Sequence, residues 1–211
     1  QPNFESANVE VFKKLYLNGA VYRGRKPIHW CSHCHTALAE AEIEYADETS
    51  PSIYVNFKLN NIPAVFAEAG VDLERAYVLI WTTTPWTLPS NTAVSLGPDI
   101  DYCFVEADGK FMMFAKDMVE AVAKVAGWES YRIVETNGEP VTMKGDQFGD
   151  ITYICPVLHE NTGRIIWGEH VTLDAGTGAV HTAPGHGVDD YFACLRSEEH
   201  TSELQSHEPI S

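Results

Sequence analysis

Apolar residues recur at Phe4, Val9, Phe12, Leu15 and Tyr16, a helical spacing over Phe4 to Leu17 that Asn18-Gly19 ends. Tyr22 to Trp30 and Glu42 to Tyr45 read as extended, on either side of a cysteine-rich turn and the helix-prone stretch ALAEAE. From Ser52 the period changes. Ile53, Val55 and Phe57 alternate with Tyr54, Asn56 and Lys58, and Ala76 to Trp81 is an unbroken apolar run, so both predict strands. Tyr102 to Glu106 and Phe111 to Phe114 flank Asp108-Gly109, the mark of a hairpin. Asp117 to Val125 is the best-patterned helix, with Met118, Ala121, Val122 and Val125 on one face and Gly127 to stop it. Short strands are expected around Tyr131 to Val134, Ile151 to Ile154 and Ala179 to Thr182, and a helix start after Gly187. Many short strands joined by turns, with few helices, predict an α/β chain: a β-barrel-like module over 51–195, with a few peripheral helices, preceded by a small helix-strand segment over 1–50.

Composition narrows the class. With 211 residues, 45% of them hydrophobic, the chain can bury a real core. No apolar run approaches the roughly 20 residues that span a bilayer, and QPNFESANVEVF lacks the basic start and apolar stretch of a signal peptide, so a soluble cytoplasmic protein without membrane contact is expected. Of five cysteines only Cys31 and Cys34 are closely spaced, which fits a reducing compartment and not a disulfide framework. A formal net charge of −16 opposes binding along nucleic-acid phosphates, which needs clustered Lys and Arg. Arg196 to Ser206, RSEEHTSELQS, has no apolar periodicity, and a widely used sequencing-adapter string translates to the same residues. Residues 196–211 are therefore expected to be foreign and are excluded from fold reasoning. That stretch holds four acids and one base, so most of the negative charge belongs to the rest of the chain.

Two segments carry chemistry. Trp81 to Asn91, WTTTPWTLPSN, is a run of hydroxyls stiffened by Pro85 and Pro89; Asp174 to Tyr191, DAGTGAVHTAPGHGVDDY, packs glycines, histidines and paired carboxylates. Thr82, Thr83, Thr84 and Thr87 are donor-acceptor groups that orient ligands but need a partnered base to react. Surface threonines at a strand end would look the same. Gly176 and Gly178 permit close backbone approach, while His181 could donate, accept or form a wall. Asp189 is the better candidate for capping a following helix, and Asp190 for facing a pocket, where a carboxylate could bind an ammonium group. No Ser-His-Asp spacing or nucleophile elbow is present, so water is the expected nucleophile of any hydrolysis.

Together these two peptides resemble the signature peptides of the editing domain of isoleucyl-tRNA synthetases, and YRGRKPIHWCSHCHTALAEAEIEY, Tyr22 to Tyr45, resembles the class I catalytic-domain segment just upstream of that domain. The resemblance spans Phe4 to Leu195. Valyl- and leucyl-type editing peptides carry Arg where this chain has Thr84 and lack HTAPGHG. The resemblance implies hydrolysis of valine mistakenly attached to tRNA(Ile). Within it, Thr83, Thr84, His181 and Asp190 are the catalytic set: Asp190 holds the α-ammonium and His181 excludes isoleucine. Trp81, Thr82, Thr87, Asn91, Gly178, Ala179 and His186 contact the valine moiety, the ester or the terminal adenosine. A second sieve is needed because one methylene is worth only about 1 to 3 kcal/mol, isoleucyl-tRNA synthetases being the standing example of that limit. The implied partner is the aminoacylated 3′ end of tRNA(Ile), which the acidic chain would bind weakly by itself, as a monomer. No cofactor is implied for editing. ATP and Mg belong to the parent ligase, whose HIGH and KMSKS motifs are absent from this sequence. The alternatives are a free-standing trans-editing deacylase and a non-catalytic module that binds the amino acid or the tRNA end.

Cys31-Ser-His-Cys34 supplies two of the four ligands that structural zinc takes, with His33 or His35 as possible additions. With no second pair in the sequence, Cys31 and Cys34 are read as a half-site, zinc binding being possible only with ligands from outside this chain. Two ordinary thiols are the competing reading.

Overall fold

The computed structural model describes residues 2–24, 27–47 and 49–199. None of the described residues before Phe57 is buried. The first helix, α1 (Pro2–Leu17), forms where its spacing predicts and stops at Gly19, whose φ of +74° suits glycine. Its apolar residues, Phe12 and Leu15 among them, remain exposed. The cysteine turn is a small antiparallel ribbon in which Trp30 faces Ala37 and Cys31 faces Thr36. The ALAEAE stretch makes only one 3₁₀ turn, Glu40–Glu42.

The rest is built on one ten-stranded mixed sheet. In chain order its strands are β1 (Ile53–Leu59), β2 (Ala76–Thr82), β3 (Ala93–Leu96), β4 (Asp101–Ala107) and β5 (Lys110–Ala115), then β6 (Arg132–Ile133), β7 (Met143–Lys144), β8 (Thr152–Ile154), β9 (Thr162–Trp167) and β10 (Ala179–Thr182). They lie in the order β7-β4-β5-β2-β1-β8-β9-β3-β10, with β6 also paired to β4. The pairs β2–β5 and β9–β3 are parallel and all the others antiparallel. The module is barrel-like without being a closed barrel. The sheet curls until β10 packs against β2, but the end strands β7 and β10 are not hydrogen-bonded to each other.

Local patterning accounts for much of this. β4 and β5 pair in the expected hairpin, Ala107 opposite Lys110, with Asp108 and Gly109 both at positive φ (50° and 73°) as a type I′ turn demands. The continuous apolar run of β2 is buried because both its faces are covered. Three further helices complete the fold: α2 (Ala64–Glu68), α3 (Val119–Ala126) and α4 (Val188–Glu199). The buried face of α3 agrees with the expected one at Met118 and Val122 and differs at its other positions. Val119, Val122 and Ala123 go inward, whereas Ala121 and Val125 are exposed, because a 3₁₀ turn at Lys116–Met118 rotates the entry into the helix. Gly127 terminates α3 at φ +66°.

The core is aromatic at its centre. Phe66 packs edge-on to Phe104 at 4.9 Å between ring centroids, and Phe148 stacks on its other side at 6.2 Å. The fully buried Tyr102 hydroxyl accepts from Gly97 N–H at 2.8 Å and donates to the Gly178 carbonyl. That bond ties the segment leading into β10 to β4, near the opposite end of the strand order. α4 runs past Leu195 without a break, and Arg196 lies 3.7 Å from Glu169. Residues 200–211, most of the stretch read as foreign, lie outside the described residues.

Candidate functional site

The Thr-rich peptide starts at the end of β2, where pairing with β1 stops at the Ile53–Thr82 step. Pro85 then opens a 3₁₀ turn over Pro85–Ser90. Two threonines build this loop from within: Thr82 Oγ1 accepts from Thr84 N–H at 3.0 Å, and Thr87 Oγ1 donates to the Thr84 carbonyl at 2.8 Å. Thr82 and Thr87 are buried, while Thr83 is exposed and Thr84 half-buried. The hydroxyls of the run therefore divide into two that hold the loop's shape and two nearer solvent.

The second peptide reaches the same place along β10. Antiparallel pairing with β3 sets His181 opposite Val94 at the sheet edge, beside the Thr loop. Gly176, at φ +79°, leaves room for the Trp81 ring; a Cβ there would lie 2.8 Å from it. His186 Nε2 and Ser90 Oγ meet at 3.1 Å, so the segments touch again near the mouth. Asp190, in the first turn of α4, accepts from Ala183 N–H at 2.8 Å.

Between the segments is a cleft of about 450 Å³. Of the residues singled out in the sequence, Trp81, Thr82, Thr83, Thr84, Thr87, His181, His186 and Asp190 line it. Asn91, Gly178 and Ala179 do not. Asn91 is buried behind His181; Gly178 abuts Ala115, and Ala179 is a core residue of β10 facing Leu96. Asp189 is exposed outside the cleft lining, while the Asp190 carboxylate binds the main-chain N–H of Ala183, ahead of α4. Sequence reasoning missed His170 and Thr172 and gave no role to Asp174, the first residue of the second peptide; all three line the cleft as well. Their signal was the polar alternation of HVTLDAG immediately before the glycines.

The electrostatics separate the two principal groups. His181, only 7% exposed, has both ring nitrogens engaged, Nε2 at 2.9 Å from Thr87 Oγ1 and Nδ1 at 2.8 Å from Asn91 Nδ2. Burial above all, with His186 pushing the same way, holds its pKa down to about 4. It is a neutral imidazole at pH 7. Burial raises the Asp190 carboxyl above the usual aspartate range, while Ala183 N–H and the nearby His170 and His186 pull it back down. A partly desolvated carboxylate on the wall of a cleft can bind a cation strongly, because little water competes for it.

The cysteine turn stands apart from the cleft. Cys34 N–H donates to Cys31 Sγ at 3.3 Å, and this main-chain donor, with that of His33, lowers the Cys31 thiol pKa. Among the described residues no group of three or more His, Cys, Asp or Glu side chains is placed to hold a metal ion. The turn by itself offers two sulfurs.

Comparison with known proteins adds family to geometry. Residues 1–182 match the model of tRNA synthetases class I (I, L, M and V). The isoleucine–tRNA ligase of Caldanaerobacter subterraneus subsp. tengcongensis is 44% identical over 191 residues, covering 90% of this chain and 20% of that protein. The isoleucine–tRNA ligase of Desulfovibrio desulfuricans is 45% identical over 197 residues, covering 92% and 20%. The chain therefore spans about a fifth of the length of these relatives. Two crystal structures share the fold. The P. knowlesi cytosolic leucyl-tRNA synthetase editing domain superposes with a TM-score of 0.58 at 11% identity, over 75% of this chain and 66% of that one. GlLeuRS-CP1 gives 0.56 at 18% identity, over 75% and 68%.

Proposed function

Because the chain belongs to the class I tRNA synthetases of the isoleucine, leucine, methionine and valine group, we propose that its cleft hydrolyses the ester of valine misattached to tRNA(Ile), the proofreading step of an isoleucine–tRNA ligase. The observation that carries this reading is the convergence of the two peptides on one cleft, with a partly desolvated carboxylate on one side and a buried neutral histidine on the other.

Asp190 anchors the α-ammonium and so fixes the distance from that group to the scissile carbonyl. Water adds to the carbonyl, the acyl–oxygen bond breaks, and the terminal ribose oxygen leaves with the proton that the water gives up. The hydroxyl donors of Thr83 and Thr84 stabilise the oxyanion that forms on the way. An aminoacyl ester is already activated, so positioning and hydrogen bonding are enough without a covalent intermediate. The valine side chain lies toward His181, whose imidazole closes the space that the extra methylene of isoleucine would need. Thr82 and Thr87 within this surface and Asn91 behind it set its shape.

The parent ligase would activate isoleucine with ATP and Mg and charge tRNA(Ile). Isoleucine activation is not expected of this chain, and zinc at Cys31 and Cys34 would need ligands from elsewhere in the parent. The test is to incubate the chain with Val-tRNA(Ile) and Ile-tRNA(Ile). Selective release of valine is expected; binding without turnover, or equal release of both amino acids, overturns the reading.

A further inference from the structure

A chain of hydrogen bonds runs from the cleft wall at Thr84, Thr87 and His181 to Asn91, Tyr153 and Cys155, which stand behind it. Asn91 Nδ2 lies 2.9 Å from the Ala93 carbonyl, which can only accept, so that atom must be the amide nitrogen. The same nitrogen lies 2.8 Å from His181 Nδ1 and presents its second hydrogen there. His181 Nδ1 must therefore be the bare, accepting nitrogen. The ring proton is on Nε2, 2.9 Å from Thr87 Oγ1, and the Thr87 hydroxyl passes its own proton to the Thr84 carbonyl at 2.8 Å. Every donor and acceptor in this row has one permitted direction.

The far end of the row sets the orientation of the amide. The Tyr153 hydroxyl donates to Asn91 Oδ1 at 2.7 Å, and Cys155 Sγ approaches the same oxygen at 3.3 Å. Tyr153 is fully buried on β8, and burial holds its phenol well above its ordinary pKa, so it remains a donor at any working pH. Its ring cannot move far. It lies directly over Gly163 of β9, where even a Cβ would collide, and packs on Phe57 at 5.1 Å between centroids.

We propose that Tyr153, acting through Asn91, is a positioning residue that locks His181 in its Nε2–H tautomer, so that His181 serves the cleft as a fixed wall and not as a proton acceptor. Both ring nitrogens are already committed, one to a donor and one to an acceptor, and neither lone pair nor N–H is left for an attacking water. Protonating Nδ1 would set an N–H against the Asn91 N–H, which opposes the imidazolium independently of burial. The titratable groups around this histidine are His170, Asp174, His186 and Asp190 on the cleft side and Tyr153 and Cys155 behind Asn91. The tautomer assignment stands apart from the hydrolytic reading; only its consequence for the attacking water rests on that reading.

The test is spectroscopic and needs no activity. In long-range proton–nitrogen correlation spectra of the chain carrying nitrogen-15 histidine, with His181 assigned by its loss in His181→Gln, wild-type protein should show a bare Nδ1 and a protonated Nε2 from neutral pH down to about pH 5. Asn91→Asp places an acceptor opposite Nδ1 and should move the ring proton to Nδ1 and raise the His181 titration midpoint by roughly two units or more. Tyr153→Phe, which only frees the amide, should raise it by roughly half a unit to one unit. An Nδ1–H tautomer or a charged ring in the wild type at neutral pH overturns the proposal even if neither variant folds. Midpoints unmoved in both folded variants remove Tyr153 and Asn91 from the role. If the spectra agree while valine is not released from Val-tRNA(Ile), the hydrolytic reading fails and the lock stands. A base in the pH–rate profile that vanishes in His181→Gln would refute the consequence for the water.

Discussion

The two sides of the cleft are built on opposite principles. One side, Thr82, Thr87, His181 and the Asn91 behind it, is buried, neutral and saturated with internal hydrogen bonds. The other, Thr83, His186 and Asp190, is open to solvent or half-open, and its charged member spends one oxygen on the backbone. The first side can define a shape because nothing in it is free to turn. The second can hold a charge and still exchange its occupant with water. The proposed sieve, which must admit one small aliphatic group and grip one ammonium group, draws on both.

The contrast breaks most visibly at Asp190. Asp190→Asn keeps an oxygen for Ala183 N–H but removes the charge, and hydrolysis of Val-tRNA(Ile) should fall roughly 100-fold or more while the chain stays folded. A rate within a few fold of wild type in a deacylation assay would remove the ammonium-anchoring role. His181→Ala strikes the shaped side instead. It opens a cavity and strands Thr87 and Asn91, so denaturant unfolding should show a loss of about 2 to 4 kcal/mol, with new release of isoleucine from Ile-tRNA(Ile). An unchanged stability would mean that the wall is not preloaded with hydrogen bonds.

Acid sharpens the comparison further. The His181 pKa is about 6.5 unfolded and about 4 folded, so between those values the unfolded chain binds a proton that the folded chain refuses. Its contribution to stability is therefore complete above about pH 6.5 and is lost as pH falls toward 4, by about 3 kcal/mol. Asp190, raised by burial, works in the opposite sense in the acid part of that range. Unfolding midpoints of wild type and His181→Gln should converge as pH drops from 6.5 to 4; parallel curves would contradict the neutral buried ring. The smallest effect separates neighbouring threonines. Thr87→Val should cost about 1 to 2 kcal/mol through its two lost partners, and Thr83→Ala less than about 0.5, measured by thermal melts.

How far the sequence could be read is clear from particular residues. The hairpin at Asp108-Gly109, the strand Ala179–Thr182 and the stop at Gly127 were legible because each depends on a few neighbouring residues. The strands Ala93–Leu96 and Thr162–Trp167 were not, although their parallel pairing joins β10, which carries His181, to the rest of the sheet. AVSL and TGRIIW are too short for a period to emerge, and what makes them strands is partners about 70 residues away. The face of α3 was read correctly at Met118 and Val122 but not at Ala121 and Val125, which are exposed, and the barrel-like sheet curls without its end strands pairing.

The same division holds at the cleft. Local chemistry alone marked Trp81 to Asn91 and Asp174 to Tyr191 as pocket-forming, because hydroxyls, glycines and paired acids at that density cannot fill a core, and the resemblance attached a reaction to them. What only the tertiary structure decided is which side chains face the cleft and which stand behind it. Asn91, Gly178 and Ala179 are withdrawn from the surface, His170 and Thr172 join it, and His181 loses the freedom to act as a base. A sequence lists donors and acceptors, but the direction of a hydrogen bond depends on the partner opposite. For His181 that partner is Asn91, 90 residues earlier in the chain.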